Sequence, residues 1–380
     1  MTLQALKHKY YNFDGLVLLT FMSVFLPYYL TALVVIGLGF YCLINKKSRN
    51  IIFKEKYFFL FVAFSVFTAI VGVVNFNFLG VACSIFFFLV FIVAAFFKNV
   101  LTKDLYERGL SVMVYAGSVT GIITILDLFL TYDFTSETFT YRAQLYFFNP
   151  NYLATLFSLA IIVCAYKVVC RRGVKLIYYI CTACCGIGLY LTGSLFALVE
   201  VFVGIAAVLL LSKRHQLLSI LLLLAASACI VVYCMPEILP RLSKVQDTTD
   251  NRILIWTTTI EMIKSYFIFG RGYLTYYATY NNYPGSYVTT HAHNFILEPI
   301  LSFGIIGFVI ILLFFIVFYK RVLICKNYQS KSKASILIIA VSIAALIHST
   351  TDMTLLWIQT ALSFSLILSG VGYEEKLLKL

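Results

Sequence analysis

Charge is what this 380-residue chain has least of: Asp, Glu, Lys and Arg make up 12% of it, about half the share of a soluble globular domain. That shortage excludes a water-soluble fold. With 62% apolar and 17% aromatic residues and a mean hydropathy of +0.94, such a fold could not hide its Phe, Leu, Ile and Val side chains. Lipid is then the solvent, and each crossing segment is expected to be a helix that satisfies its own backbone hydrogen bonds. A long polar stretch is also missing. The longest segment without an apolar span is roughly 55–60 residues, so no separate soluble domain is expected.

Other absences narrow the class further. None of the ten cysteines lies in the polar stretch from Pro236 to Thr290, and most (Cys42, Cys83, Cys164, Cys181, Cys184, Cys185, Cys229) sit inside apolar runs. Cys181, Cys184 and Cys185 have a metal-like spacing without a nearby His; they read as small core hydrophobes, and a disulfide framework is unsupported. No small-residue cleavage site follows Lys7 and Lys9, and the apolar run continues past Pro27 to Asn45. A signal peptide is therefore not expected; two retained spans are. The net charge of +13 is scattered between apolar runs, so nucleic acid is not an expected partner either.

What remains is a series of apolar runs near the length that crosses a bilayer, about 20 residues. They fall near residues 13–27, 28–45, 57–74, 78–97, 110–130, 151–169, 174–192, 194–211, 217–235, 294–319, 334–348 and 354–371. The expected fold is all-α: a polytopic membrane bundle of about twelve helices, with a large extracytoplasmic loop (236–293) between spans nine and ten. With both termini cytoplasmic, all but six of the 29 basic residues fall inside, the asymmetry that fixes orientation. The exceptions are Arg142, Arg241, Lys244, Arg252, Lys264 and Arg271. External cations that defy this bias fit an anionic ligand at the outer surface.

Three parts of the external loop carry possible chemistry. Ile253, Trp256, Ile260, Ile263 and Phe267 recur at helical spacing behind Asp250-Asn251-Arg252. An amphipathic interfacial helix is expected there, with Asp250 or Asn251 as N-cap. Arg252 at its N-terminus would favour an anion; snorkelling to headgroups accounts for it equally well. Phe269-Gly270-Arg271-Gly272-Tyr273 follows, then Tyr276, Tyr277, Tyr280, Tyr283 and Tyr287. Its glycines would let the backbone turn around a ligand. The tyrosines suit sugar stacking or an interfacial aromatic belt. Last comes His291-Ala292-His293-Asn294. A histidine at the membrane surface can take a proton from a hydroxyl near neutral pH. Two His at i and i+2, with His348 and Asp352 in the last outward turn, also make zinc conceivable. Nothing else in the loop has metal-ligand spacing, and no metal is expected.

Arg142, Arg252, Arg271, His293, His348 and Asp352 all map to the outer face. The cytoplasmic loops hold neither a phosphate-cradling glycine loop nor an Asp-x-Asp pair. ATP and nucleotide sugars are unavailable outside, so the energy must arrive in a bound donor.

These residues resemble the O-antigen ligase and polysaccharide polymerase family, membrane glycosyltransferases of the Wzy type. The resemblance rests on Arg142 with Phe148-Asn149-Pro150-Asn151-Tyr152-Leu153-Ala154, Leu191-Thr192-Gly193-Ser194, and Asn251-Arg252 with Trp256. It continues through Phe269 to Tyr273, His291 to Asn294 with Leu297, Gly304 and Gly307, and His348 to Asp352. It covers roughly residues 140–355, which divides the chain into N-terminal helices (1–140), a ligase/polymerase-like core (141–355), and a last span with its tail (356–380). The resemblance implies a bacterial plasma-membrane enzyme that transfers sugar from an undecaprenyl-pyrophosphate-linked oligosaccharide without metal, nucleotide or cofactor. It implies His293 as the base, with Arg142, Arg252, Arg271, His291, His348 and Asp352 binding substrate. A chain-length regulator and a lipid-sugar flippase are the implied partners. Where many relatives carry Arg after Thr-Gly-Ser, this chain has Leu195, and Arg271 is the expected substitute. Joining of lipid-linked repeat units is favoured over ligase-type transfer of a finished chain. The competing class is a transporter, for which Asp127 and Glu200 are the charged residues nearest mid-span.

Overall fold

A computed structural model describes residues 13–135, 141–170, 176–239, 241–328 and 333–378, all helix, turn or loop without a strand among them. Of the basic residues tallied above, Lys7, Lys9, Arg171, Arg172, Lys175, Lys331 and Lys379 lie outside the described residues. In chain order the helices are α1 (Asp14–Ser23), α2 (Tyr28–Ile44), α3 (Lys46–Ile52), α4 (Phe58–Val74), α5 (Phe78–Val100) and α6 (Lys103–Thr131). Then come α7 (Pro150–Cys170), α8 (Leu176–Thr192), α9 (Leu195–Leu211), α10 (His215–Cys234), α11 (Val245–Tyr266) and α12 (Thr275–Thr279). The chain closes with α13 (Leu297–Tyr328), α14 (Ala334–His348), α15 (Ile358–Leu368) and α16 (Val371–Leu378).

Five helices (α5, α6, α7, α10 and α13) are each long and apolar enough to cross a membrane. Helices α1, α4, α8, α9 and α14 are apolar but shorter, at 10–17 residues, and α2 meets α3 at a 95° bend. Pro27 separates α1 from α2, and Gly193, with φ of +64°, separates α8 from α9. The last apolar run is broken: a short 3-10 turn at Thr354–Leu356 and extended Trp357 (ψ 148°) precede α15.

Local chemistry sets several helix ends. Asn149 accepts the Asn151 N–H at 2.8 Å just before Pro150, a start in which Pro's missing N–H costs nothing. Asn77 accepts the Gly80 N–H at 2.9 Å and so caps α5. The first N–H groups of α14 are capped from forty residues away, by the Glu374 carboxylate on α16 (Ala334 N at 2.8 Å).

Helix α7 is the centre of the bundle; α6, α8, α9, α14 and α15 pack around it, and nearly all its side chains are buried. Helix α9 lies across both α7 and α14, so closely that a Cβ on Gly204 would stand 2.3 Å from Ile162 and 3.3 Å from Ala344. By contrast α10 has no buried residue. The turns gather into two sets. One joins Glu55, Lys98, Arg321 and Glu375 in an ion-pair network. The other brings together the α1–α2, α4–α5, α6–α7, α8–α9 and α14–α15 turns and the segment between α10 and α13, through contacts such as Gln359 to Leu26 O and Arg142 to Thr192 O. The second set holds the polar cluster described next.

Candidate functional site

Asp352 is the hub of the cluster. It sits in the α14–α15 turn, 1% exposed, with its backbone N–H bonded to His348 O at the end of α14. Asn151, on the first turn of α7, donates Nδ2 to Asp352 Oδ2 at 2.5 Å. The same amide accepts Arg142 Nη2 at 2.8 Å, and Arg142 Nε donates to Thr192 O at 3.0 Å. Asn151 therefore carries one polar chain from arginine to carboxylate.

Two imidazoles approach the other carboxylate oxygen. His293 Nδ1 lies 3.1 Å and His291 Nε2 3.6 Å from Oδ1, a buried oxygen that these rings approach at ion-pair distance and that has no hydrogen bond of regular geometry. Burial alone would raise the Asp352 carboxyl; His293, His291 and His348 instead hold it well below the usual carboxylate range. Burial, reinforced by His293, pushes His291 down to about 3, so that ring is neutral at physiological pH. His293 holds φ at +51°, an uncommon conformation for a residue with a Cβ, of the kind that clusters at functional sites. Glu298 sustains the turn: Oε2 accepts the Ala292 N–H and Oε1 the Ser302 hydroxyl, each at 2.8 Å. Asn294 caps α13 through Ile296 N and Leu297 N, while Phe295 N reaches Ser349 O. The His-containing segment is thereby fastened to the α14–α15 turn.

These contacts give His293 a direction. With Nδ1 turned to Asp352, Nε2 faces the Thr289 hydroxyl at 2.8 Å. Nε2 is then the ring nitrogen turned away from the carboxylate, with the Thr289 hydroxyl as its partner. Beneath the site His348 Nδ1 meets Glu200 Oε2 at 2.7 Å in the bundle interior, both side chains at most 1% exposed. Thr155 bridges His348 and Thr354.

His291, His293 and Asp352 each offer one ligand atom, all within 4.8 Å of one another, the number and type of a two-His, one-carboxylate set. Protonation does not fit. His291 Nδ1 accepts the His293 backbone N–H at 3.2 Å, so Nε2, the atom facing Asp352, carries the ring proton. Ligation through Nε2 needs the other tautomer.

Arg252 lies over the Phe196 ring at 5.2 Å; burial lowers its pKa, with opposing electrostatic effects from Asp352 and Arg241. It is not at a helix start. Helix α11 begins at Val245; within its first turns Gln246 donates to Asp250, and the Thr248 and Thr249 hydroxyls donate to the Lys244 and Val245 carbonyls. Asp250 and Asn251 are thus not the N-cap, and no free helix N–H groups stand beside Arg252. The buried face of α11 is Ile255, Thr258, Thr259 and Met262, whereas Ile253, Ile260 and Phe267 are exposed.

Arg271 does not reach the cluster through any of its described contacts. Its guanidinium stacks on Tyr266 at 5.1 Å, bonds Tyr266 Oη at 3.1 Å and approaches Asn75 O at 3.5 Å, beside the α4–α5 turn. Asn77 Nδ2 grips the same segment through Tyr273 O at 2.8 Å. The flanking glycines are also spoken for. A Cβ on Gly270 would stand 2.4 Å from Ser302 O, and one on Gly304 would stand 2.1 Å from Ile268 O. Gly304, at φ +65°, is the kink in α13, and the Phe267–Gly272 backbone lies directly on it, with Ile305 N bonded to Phe267 O and Gly272 N to Ser302 O. These glycines admit the protein's own backbone rather than a ligand's. The tyrosines divide likewise: Tyr273 stacks on Phe87, and Tyr276 is buried with its hydroxyl on Tyr287 O, while Tyr277 and Tyr287 are exposed.

Arg241, Asn151, Thr289, Glu200 and Glu298 are parts of the site that sequence reasoning did not assign. Arg241 carried a signal as a basic residue on the outer side of the charge asymmetry, Asn151 as part of the Phe148–Ala154 stretch, and Glu200 as a charged residue near mid-span; Thr289 and Glu298 carried none.

An all-helical bundle with five membrane-length apolar helices and a buried polar cluster at one set of turns defines an integral membrane protein. Residues 180–312 match the O-antigen ligase family, so the resemblance drawn from the motifs holds over this stretch. It contains α9, Arg241, Arg252 and both loop histidines. A search of curated proteins returned no match.

Proposed function

We propose that this protein polymerises undecaprenyl-pyrophosphate-linked oligosaccharide repeat units at the outer face of the bacterial plasma membrane. Twelve membrane crossings with both termini cytoplasmic put the polar cluster on that face, a topology supported by the positive-inside asymmetry of the loops. The observation that carries the reading is the placement of an Asp352-held His293 in one network with the half-buried Arg142.

In this reaction the acceptor hydroxyl oxygen attacks the anomeric carbon of the donor sugar. Its proton passes to His293 Nε2, where the Thr289 hydroxyl now sits, and Asp352 stabilises the imidazolium that forms. The bond from the anomeric carbon to the pyrophosphate oxygen breaks, and the leaving group departs with the electron pair. Arg142 and Arg252 hold that pyrophosphate by charge-assisted hydrogen bonds. No metal or nucleotide takes part, since the phosphate linkage supplies both energy and leaving group. The two charged residues nearest mid-span have protein partners: Asp127 accepts the Tyr141 hydroxyl at 2.6 Å and Glu200 pairs with His348, which favours chemistry over an ion relay.

Purified protein in lipid, supplied with undecaprenyl-pyrophosphate repeat units and a chelator, should lengthen the glycan. A His293→Ala variant should lose about a hundredfold or more of that rate. Elongation that continues in the variant removes the base assignment, and transfer only to a second, non-repeat acceptor establishes the ligase reading instead.

A further inference from the structure

We infer that Arg241 is a third phosphate-binding side chain of this site, completing with Arg142 and Arg252 a cradle for the two linked phosphates of the donor lipid. This deepens the reading above and rests on it.

The geometry is built rather than incidental. The strap that follows α10 turns twice, at Pro236–Ile238 and Leu242–Lys244. It is tied to the end of α8 by the Tyr190 hydroxyl, which donates to Ile238 O at 2.7 Å. The strap thereby lays the Arg241 stem on the α8–α9 turn. A Cβ on Gly193 would stand 2.9 Å from Arg241 Cδ and 4.0 Å from Arg142 Cγ. Two arginine stems therefore share one glycine, in a turn whose φ of +64° already favours that residue.

Charge points the same way. Arg241 is half-buried, and among the described residues its guanidinium makes no hydrogen bond or ion pair with the protein. Its electrostatic influence is felt by both Arg142 and Arg252. The carboxylate these arginines sense is Asp352, already engaged by Asn151 and two imidazoles. Three guanidinium groups are thus gathered with one committed counter-charge, an arrangement that a multiply charged diphosphate relieves. The strap also answers the Leu195 departure: the cation beside Thr192-Gly193-Ser194 comes from position 241, while Arg271 stacks on Tyr266 near the α4–α5 turn.

The test compares two lipids, undecaprenyl pyrophosphate and undecaprenyl phosphate, binding to the full-length protein in vesicles. Wild type should prefer the pyrophosphate. Arg241→Gln should weaken pyrophosphate binding roughly tenfold while changing monophosphate binding far less, so that the preference collapses. Arg241→Lys should fall between, because it restores the charge without the two-pronged donor. Thermal unfolding of both variants, matched to wild type, reports that the fold is intact. Wild-type preference retained in Arg241→Gln overturns the Arg241 assignment and leaves the donor reading standing. A wild type that binds neither lipid overturns both.

Discussion

His293 Nδ1 stands 3.1 Å from Asp352 Oδ1, and that contact decides which ring nitrogen faces outward. The Asp352 carboxylate, held ionised in a buried turn, fixes the orientation of the ring.

Replacing the carboxylate while keeping its shape isolates this effect. Asp352→Asn should lower glycan transfer by about two to four orders of magnitude, measured as elongation at saturating donor. The Arg142–Asn151 pair on the other carboxylate oxygen is lost far less, so donor binding should change little. A transfer rate within a few-fold of wild type would show that Asp352 does not orient the base.

Stability should depend on pH through His291. In the unfolded chain this ring titrates near its ordinary 6.5, whereas in the fold it is held down to about 3. Between those values the unfolded state binds the extra proton, so stability falls as pH drops from about 6.5 towards about 3. Asp352, lowered in the fold, adds a further loss only once pH falls below the ordinary carboxylate range. His291→Asn should flatten the upper part of this profile in equilibrium unfolding, and an unchanged slope would contradict the buried neutral ring.

The kink in α13 makes a sharp demand. Gly304→Ala places a Cβ 2.1 Å from Ile268 O at a φ of +65°, so the Phe267–Gly272 segment must lift away. A cost of at least about 2 kcal/mol is expected from the strained φ and the lost packing. Faster proteolysis between Phe267 and Tyr287 should accompany it. Gly285→Ala, where nothing lies within 4 Å, is the matched control, strained in φ without the clash.

Glu200 and His348 form a buried pair whose halves are not independent. Glu200→Ala leaves an imidazole without its acceptor in the bundle interior, at a cost of about 3–5 kcal/mol in unfolding from mixed micelles. Glu200→Gln keeps an acceptor and should cost markedly less. Equal losses would mean the pair contributes through the carboxylate's charge rather than through a retained acceptor.

Much of the helical frame was legible because lipid imposes one rule, a run of apolar residues, and Pro27 and Gly193 punctuate it where helices break. Helix α11 was read six or seven residues short, since its first turns are polar and have no apolar period; there Gln246, Thr248 and Thr249 bond within the helix instead. The partnership of Gly270 with Gly304 was illegible, as backbone-on-backbone contact leaves no side-chain pattern. Arg142, His293 and Asp352 stood out by residue type in the turns that the charge asymmetry assigns to one side. What joins them did not, because Asn151 is an ordinary polar residue whose partner lies 201 positions away.

That separation bears on how the protein is made. The Asn151–Asp352 bond and the Glu200–His348 pair each join halves of the chain that leave the ribosome far apart in time. Through the synthesis of α8 to α14 the growing polypeptide carries an arginine and an amide with no carboxylate to meet them. The polar cluster is therefore complete only once the turn that bears Asp352 has docked against α7.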